Sequence, residues 1–125
     1  MGSRTYGVPG GLPSPYPPAQ YVASRSLSGT PADVTVIRDD VLADVRRLKA
    51  EEGLNIWLCG GSALAGTLLP EIDRLFLKVT PVVLGRGLPL FATATRATGV
   101  RFTPTAARTF TNGVLFVEYA RVPPG

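Results

Sequence analysis

The sequence predicts an α/β domain in which helices pack on a mixed sheet. Between residues 34 and 69 the order is strand, helix, strand, helix, which favours right-handed crossovers between parallel strands. Near the end of the chain, Asn112-Gly113 separates two apolar runs and indicates an antiparallel hairpin. Together these patterns favour a mixed sheet over a helical bundle or a sandwich.

The chain begins with a segment poor in regular structure. Prolines and glycines crowd residues 1–31, so we expect mostly loop there, with residues 1–19 irregular throughout. A short strand, Gln20–Ala23, interrupts the loop. The β-branched run Val34–Ile37 is typical of a second, buried strand.

The most clearly predicted helix follows this second strand. Asp39 or Asp40 can cap its start, and Gly53 is suited to its end. Apolar side chains recur at helical spacing on one face, namely Val41, Leu42, Val45 and Leu48. We therefore expect this face to pack on the sheet.

A central stretch has a pattern of possible functional importance. Ile56–Cys59 is predicted to be a buried strand that leads through Gly60-Gly61 into a helix over 62–69, which Pro70 ends. Glycines allow a ligand close to the backbone, and a helix start offers unpaired N–H groups to an anion. The alternative is that the two glycines only make a tight turn, because short motifs often match by chance.

The sequence of the last third of the chain predicts a strand, a corner and a hairpin. A strand is expected over 74–80, and residues 81–87 then turn a corner. Residues 88–91 are expected to form a loop or a short turn that presses apolar groups on the core. Runs at 108–111 and 114–119 flank Asn112-Gly113, which predicts a two-residue type I′ hairpin turn with the register that such a turn fixes.

Length and composition limit the possible functions. At 125 residues, with 45% hydrophobic and 18% charged residues, the chain is typical of one soluble domain. The net charge of +4 comes from scattered basic residues, which does not indicate nucleic-acid binding. No apolar run is long enough for a membrane span, and no signal peptide is evident, so neither a membrane nor an exported location is expected.

Cysteine and histidine usage narrows the chemistry. The single cysteine excludes an internal disulfide and fits a reducing cytoplasm, and the absence of histidine disfavours a transition-metal site. Ser62 has no histidine as its base and no nucleophile elbow around it. The nine carboxylates lie on a helix face, at caps or turns, or in the last strand, and none forms an evident acid–base pair, so no catalytic residue can be assigned.

Several separated pieces of the chain resemble, in order, the dihydrofolate reductase superfamily. The likeness is strongest to its branch related to the reductase half of bacterial riboflavin-biosynthesis deaminase-reductases. The matching pieces are residues 2–6, 21–25, 56–62, 68–70 and 77–91. The run Pro81-Val82-Val83-Leu84-Gly85-Arg86-Gly87 is the most specific, because no general folding rule requires it.

The resemblance implies a three-layer fold with a mixed, mostly parallel sheet and an activity that uses NADPH. It implies that Arg4 and Thr5 contact the cofactor's phosphates and that Ser24 and Arg25 hold its 2′-phosphate. It also implies that pyrophosphate lies on backbone N–H groups near the glycines, and that Cys59 lies beside the nicotinamide. The cofactor residues so implied are Arg4, Thr5, Ser24, Arg25, Cys59, Gly60, Gly61, Ser62, Ala63 and Leu64.

Each of these residues also has a simpler interpretation. Arg25 can be a solvated surface charge, Ser24 a turn residue, and Arg4 part of a frayed terminus. Cys59 can be a packing residue, as buried cysteines commonly are. Taken singly, these alternatives are favoured, and only the ordered set of motifs supports the cofactor interpretation.

The resemblance leaves two hypotheses for the whole chain. Members of the family begin some tens of residues earlier with a central strand, so we expect a single domain over 1–125 that lacks this strand. The first hypothesis is a reductase that acts on a small carbonyl or imine substrate, pterin-like or pyrimidine-like. The second is a non-catalytic, nucleotide-binding or oligomer-forming remnant. The resemblance also implies a homodimer, for which an exposed apolar hairpin is suited.

Overall fold

A computed structural model describes residues 1–6, 20–92 and 99–123, and it has mixed α/β structure. The chain divides into two compact units, one formed by residues 1–71 with 89–94 and the other by residues 72–88 with 95–125. The helices and strands are, in chain order, α1 (Ser3–Tyr6), β1 (Gln20–Ala23), β2 (Val34–Ile37), α2 (Val41–Ala50), α3 (Ser62–Leu68), a 3₁₀ turn (Leu69–Glu71), β3 (Arg74–Val79), β4 (Phe102–Thr109) and β5 (Leu115–Arg121).

The first unit is built on a parallel pair of strands. β1 and β2 pair from Gln20 opposite Val34 to Ala23 opposite Ile37, as the sequence predicts for their positions. Val22 in β1 is completely buried, and Ile37, Leu68 and Leu69 are also buried among the described residues of this unit. Because the two strands run parallel, their carboxyl ends lie side by side.

The predicted helix after β2 is confirmed, with a shorter C-terminus. The Asp40 carboxylate accepts hydrogen bonds from the N–H groups of Leu42 and Ala43, at 3.1 and 3.0 Å, which satisfies two donors of the first turn. Helix α2 ends at Ala50 because Glu51 adopts extended backbone angles, so Gly53 lies beyond the helix and does not end it.

The second unit contains a three-stranded antiparallel sheet in the order β3-β5-β4. β5 lies in the centre, and its Val117 is the buried apolar residue among those that the structure describes in this unit. The register of β4 against β5 shifts between Pro104 and Ala106. Proline has no N–H to donate to a ladder, which fits its place in a strand at the edge of the sheet.

The hairpin between β4 and β5 is confirmed, but its turn type is not. Thr109 pairs with Leu115, and Phe110 N–H donates to the Val114 carbonyl at 2.8 Å, which leaves a three-residue loop over 111–113. A two-residue turn would have placed Thr111 opposite Val114, so the predicted register is wrong. Gly113 has φ of 80°, and a single left-handed glycine closing a three-residue loop satisfies the same sequence signal.

The strand predicted over Ile56–Cys59 is wrong, because residues 55–61 have no regular secondary structure. Half of the Ile56 surface and 62% of the Trp57 surface are exposed. A strand requires a neighbouring ladder for its backbone groups, and no strand in the described ranges pairs with these residues.

Two further expectations differ from the structure. Residues 3–6 form the short helix α1 rather than a loop, while residues 7–19, the rest of the irregular segment predicted over 1–19, lie outside the described residues. Residues 90–92 form a turn, and Phe91 is half-buried, but Leu88 and Leu90 do not press on the core, since they are 88% and 53% exposed. Pro89 and the nearby glycines disfavour a paired strand there, and exposure follows from that.

The described strands give one parallel pair and two antiparallel pairs in two separate sheets. The single mixed sheet in three layers, and the single domain, stay predictions. None of the helices in the described ranges has the length and apolar character that crossing a membrane requires.

Candidate functional site

The residues at the N-terminus lie along β1. The Met1 amine donates to the Tyr21 carbonyl at 2.8 Å, Ala23 N–H donates to the Met1 carbonyl at 2.8 Å, and Gly2 bridges Ala23 in parallel. Burial lowers the pKa of the Met1 amine, and the charge of Cys59 opposes this by a smaller amount. These contacts fix the start of α1, and therefore Arg4 and Thr5, beside the carboxyl end of β1.

Thr5 lies against Gly60, although 55 positions separate them in the sequence. A Cβ added at Gly60 would lie 3.4 Å from the Thr5 hydroxyl oxygen and 3.6 Å from its methyl carbon. Gly60 has φ of 71°, a left-handed backbone that disfavours any side chain. The structure therefore brings together two of the motifs that the sequence identifies.

Gly61 begins the helix that follows. Its φ is 90°, its carbonyl accepts from Ala65 N–H at 2.8 Å, and among the described residues no side chain caps the first turn of α3. Ser62 and Leu64 are half-buried and Ala63 is exposed, so this first turn lies at the surface. Its N–H groups lack the side-chain acceptor that Asp40 supplies to α2.

Ser24 and Arg25 belong to a tight turn directly after β1. The Ser24 hydroxyl oxygen accepts from Ser26 N–H at 3.4 Å and from Leu27 N–H at 3.1 Å. We call residues 24–27 the 24–27 turn. The interpretation of Ser24 as a turn residue is therefore correct, and its hydroxyl hydrogen is still able to donate to a ligand.

Sequence reasoning missed Arg38, which directly follows β2. Its guanidinium donates to the carbonyl of Arg25 at 3.3 Å and to the carbonyl of Leu27 at 2.9 Å. The signal that could have found it is positional. Ser24 and Arg38 both come immediately after parallel strands, and ligands in α/β folds sit beyond such strand ends.

The basic side chains of this unit differ in their partners. Arg46 and Lys49 pair with Glu71, and Arg47 pairs with Asp44 and Glu51. In residues 1–6, 20–92 and 99–123, no carboxylate pairs with Arg4, Arg25 or Arg38, and all three arginines are exposed. Positive charge without a protein counter-ion is suited to an anionic ligand.

Some of the implied residues are not brought together. Within the described residues, no hydrogen bond or ion pair joins Arg4 or Thr5 to the 24–27 turn. Cys59 is a half-buried free cysteine, and no described hydrogen bond joins it to the 24–27 turn. The site therefore consists of two parts in the first unit, Thr5 with the glycines and the 24–27 turn with Arg38.

The structure assigns no proton donor. Asp40 caps α2, Glu71 pairs with Arg46, and Glu118 pairs with Arg74 at 3.3 Å. The part of the chain that the structure describes contains no group of three or more potential metal ligands. The arrangement can hold an anion, but it does not by itself identify an acid–base catalyst.

Comparison with known proteins adds sequence and structural relatives. Residues 17–116 match the family described as RibD C-terminal domain. The chain is 36% identical over 102 residues to the uncharacterised protein YyaP of Bacillus subtilis, covering 80% of this chain and 53% of that protein. It is 44% identical over 70 residues to the uncharacterised protein YwjB of the same organism, covering 54% of this chain and 40% of that protein. The chain thus spans about half the length of the curated relatives it matches.

Two solved structures share the fold. A protein from Shewanella sp. PV-4, named for riboflavin biosynthesis, superposes with a TM-score of 0.71 at 20% identity, over 98% of this chain and 72% of that one. A pyrimidine reductase-like protein from Corynebacterium diphtheriae gives a TM-score of 0.56 at 16% identity, over 83% of this chain and 50% of that one. At these identities the likeness concerns the fold alone.

Proposed function

Because the chain belongs to the RibD C-terminal domain family, we propose that it is an NADPH-dependent reductase that transfers hydride to a small carbonyl or imine substrate. Pterin-like and pyrimidine-like compounds are the substrate classes proposed. The observation that carries the proposal is the 24–27 turn, which combines the Ser24 hydroxyl with the Arg25 guanidinium and has no carboxylate partner in the described residues. A hydroxyl and a guanidinium are chemically suited to a phosphate monoester.

The residues present fit NADPH at two positions. Ser24 and Arg25 suit the 2′-phosphate, and the exposed backbone of Gly60 and Gly61 suits the pyrophosphate, because glycines have no side chain between a ligand and the backbone N–H groups. Arg4 adds an exposed positive charge on α1. Ser62, Ala63 and Leu64 continue the same backbone into α3, and Cys59 precedes it.

The protein's part in this reaction is positioning. Bound NADPH supplies the hydride, so the chain has to hold the cofactor, align the substrate and exclude water. We propose that Thr5 and the Gly60-Gly61 backbone orient the pyrophosphate while Arg25 and Ser24 hold the 2′-phosphate. We propose no residue of this chain as the proton donor.

A second candidate is a cofactor-binding protein without catalysis. Five of the described carboxylates already act in a helix cap or in ion pairs, namely Asp40, Asp44, Glu51, Glu71 and Glu118. This observation favours binding over proton transfer. Turnover of dihydrofolate or of a pyrimidinone carbonyl compound with NADPH distinguishes the two candidates, because only the reductase oxidises NADPH.

Fluorescence titration with NADPH tests the shared claim. We expect saturable binding by the wild type and a loss of about tenfold or more in Arg25→Ala, since one charge-assisted hydrogen bond contributes about 1.5–3 kcal/mol. Arg47→Ala is the matched control, because Arg47 is also exposed but pairs with Asp44 and Glu51. Absence of saturable binding, or equal binding by both variants, would contradict the cofactor assignment.

The proposal includes the finer architecture and a homodimer. The likeness of fold to the Shewanella protein supports a three-layer dihydrofolate reductase-like domain with a mixed, mostly parallel sheet. Exposed Phe110 and Phe116 at the hairpin support association with a second copy. Light scattering checks this, and a monomeric mass would count against the dimer.

A further inference from the structure

Arg38 joins the ends of two parallel strands through the backbone. It follows β2 directly, yet its guanidinium donates to the carbonyls of Arg25 and Leu27, which follow β1. The Ser24 N–H also donates to the Ile37 carbonyl at 2.9 Å, which continues the β1–β2 ladder into the turn. Three hydrogen bonds therefore hold the 24–27 turn, one to the end of β2 and two from Arg38.

Ser24 holds the same turn from within. Its hydroxyl oxygen accepts two N–H groups, from Ser26 and from Leu27. Leu27 is thus bound through both its N–H and its carbonyl, to Ser24 and to Arg38. With its oxygen so occupied, the Ser24 hydroxyl has its hydrogen left to donate, and the direction of that hydrogen depends on the geometry of the turn.

The charges in this region are not balanced by the protein. Arg25 and Arg38 are exposed and lie close enough for the Arg38 guanidinium to reach the Arg25 carbonyl. Carbonyl oxygens accept hydrogen bonds without cancelling a full positive charge, and the described residues provide no carboxylate partner for either arginine. A doubly charged phosphate monoester can neutralise these two positive charges, whereas an uncharged ribose hydroxyl cannot.

We propose that Arg38 is a positioning residue that determines the preference for a cofactor with a 2′-phosphate, an inference that rests on the proposed function. Arg38 holds the 24–27 turn so that the Ser24 hydroxyl and the Arg25 guanidinium meet the 2′-phosphate together. The planar guanidinium is required because it donates to two carbonyls at once, which a lysine ammonium on a flexible stem does not reproduce. The rest of the cofactor does not depend on this turn.

The test compares NADPH and NADH, which differ only by the 2′-phosphate, in binding to the purified full chain. For Arg38→Gln we expect NADPH affinity to fall about tenfold and NADH affinity to stay within about twofold. Arg38→Lys should resemble Arg38→Gln, because it keeps the charge and loses the two-carbonyl bridge. Arg46→Gln is the matched control, since Arg46 is exposed and pairs with Glu71 away from the 24–27 turn.

A double variant separates positioning from direct contact. If Arg38 acts through the turn that Ser24 also holds, Ser24→Ala combined with Arg38→Gln should weaken NADPH binding by less than the product of the two single effects. Hydrogen exchange of the Leu27 amide, measured without cofactor, should be faster in Arg38→Gln than in the wild type. Neither signal is expected in Arg46→Gln.

The binding measurements distinguish failure of the proposed function from failure of the role proposed for Arg38. Wild-type protein that does not bind NADPH overturns the proposed function, and this inference with it. A different result overturns only the role of Arg38. In that case the wild type prefers NADPH, but in Arg38→Gln the affinities for NADPH and NADH fall equally or not at all. An Arg38→Lys variant that binds NADPH like the wild type would assign the effect to charge and likewise overturn the positioning role.

Discussion

Two sets of basic side chains in the first unit differ in whether the protein neutralises them. On α2, Arg46, Arg47 and Lys49 all pair with carboxylates. At the carboxyl ends of β1 and β2, and on α1, the described residues give Arg4, Arg25 and Arg38 no such partner.

The difference shows that similar exposure does not mean similar function. Both sets lie at the surface. Exposed ion pairs on a helix contribute little to stability, and their opposite charges largely cancel. Arginines that no described carboxylate neutralises produce a local positive potential that a phosphate can neutralise. We therefore expect ligand binding to depend on the second set and to be insensitive to the first.

The largest effect is expected from filling the space beside Thr5. In Gly60→Ala, the new Cβ would lie 3.4 Å from the Thr5 hydroxyl oxygen on a backbone with φ of 71°. We predict a loss of NADPH affinity of about tenfold or more, because the side chain occupies the approach to the backbone N–H groups. Fluorescence titration measures it.

Gly29→Ala is the matched control for this variant. Gly29 has nearly the same backbone angle, φ of 68°, and nothing lies within 4 Å of an added Cβ. Both variants should lose about 1–2 kcal/mol of stability through left-handed strain. Equal NADPH affinities in the two variants would show that the Gly60–Thr5 contact has no part in binding.

The next effect compares one arginine from each set. Arg4→Gln should weaken NADPH binding about fivefold, because a single exposed charge contributes roughly 1 kcal/mol to an ionic contact. Arg47→Gln should leave affinity within about twofold, since Asp44 and Glu51 already neutralise Arg47. If the two variants bind alike, the distinction between the sets does not apply to Arg4.

Ionic strength provides a third comparison. Salt screens exposed charges over about 10 Å at 0.1 M, so NADPH affinity should fall several-fold as salt rises from low to moderate concentration. NADH affinity should fall less, because NADH lacks the 2′-phosphate. The titration is repeated with Arg25→Ala, whose salt dependence should be shallower than that of the wild type; identical slopes would contradict the role of Arg25.

The smallest effect is expected from the neutralised set. Glu71→Gln removes the carboxylate charge that Arg46 and Lys49 share, at 2.7 and 3.6 Å. We predict a change in unfolding free energy below about 1 kcal/mol and no change in NADPH affinity. Thermal unfolding measures the first and fluorescence titration the second, and an altered affinity would mean that α2 affects the ligand site.

The accuracy of the sequence predictions depended on whether the signal for each element lies in neighbouring residues. The β-branched run Val34–Ile37 was found at its observed position, and the helix cap was narrowed to Asp39 or Asp40, of which Asp40 is the cap, because both signals reside in adjacent residues. The strand over Ile56–Cys59 was not, since strand formation requires a partner that local sequence does not specify. The predicted length of the hairpin loop was wrong for a related reason. Gly113 fits both a two-residue and a three-residue loop, and the pairing of β4 with β5 decides between them.

The candidate site was predictable in part. Thr5 and Gly60 were both identified by motif and lie near each other in the structure, while their role in binding a cofactor stays a prediction. Arg38 was missed because, in the sequence, it looks like part of the charged start of α2 beside Asp39 and Asp40. Its acceptors are carbonyls that become neighbours only after β1 and β2 pair.

The central claim is that NADPH binds through Thr5, the 24–27 turn and the glycines, and not through α2. The most direct measurement is an NMR titration of ¹⁵N-labelled protein with NADPH that follows backbone amide shifts. The account predicts saturable shifts at Thr5, Arg25, Gly60 and Gly61, with the amides of α2 unchanged. Absence of saturable shifts, or shifts confined to α2, would contradict it.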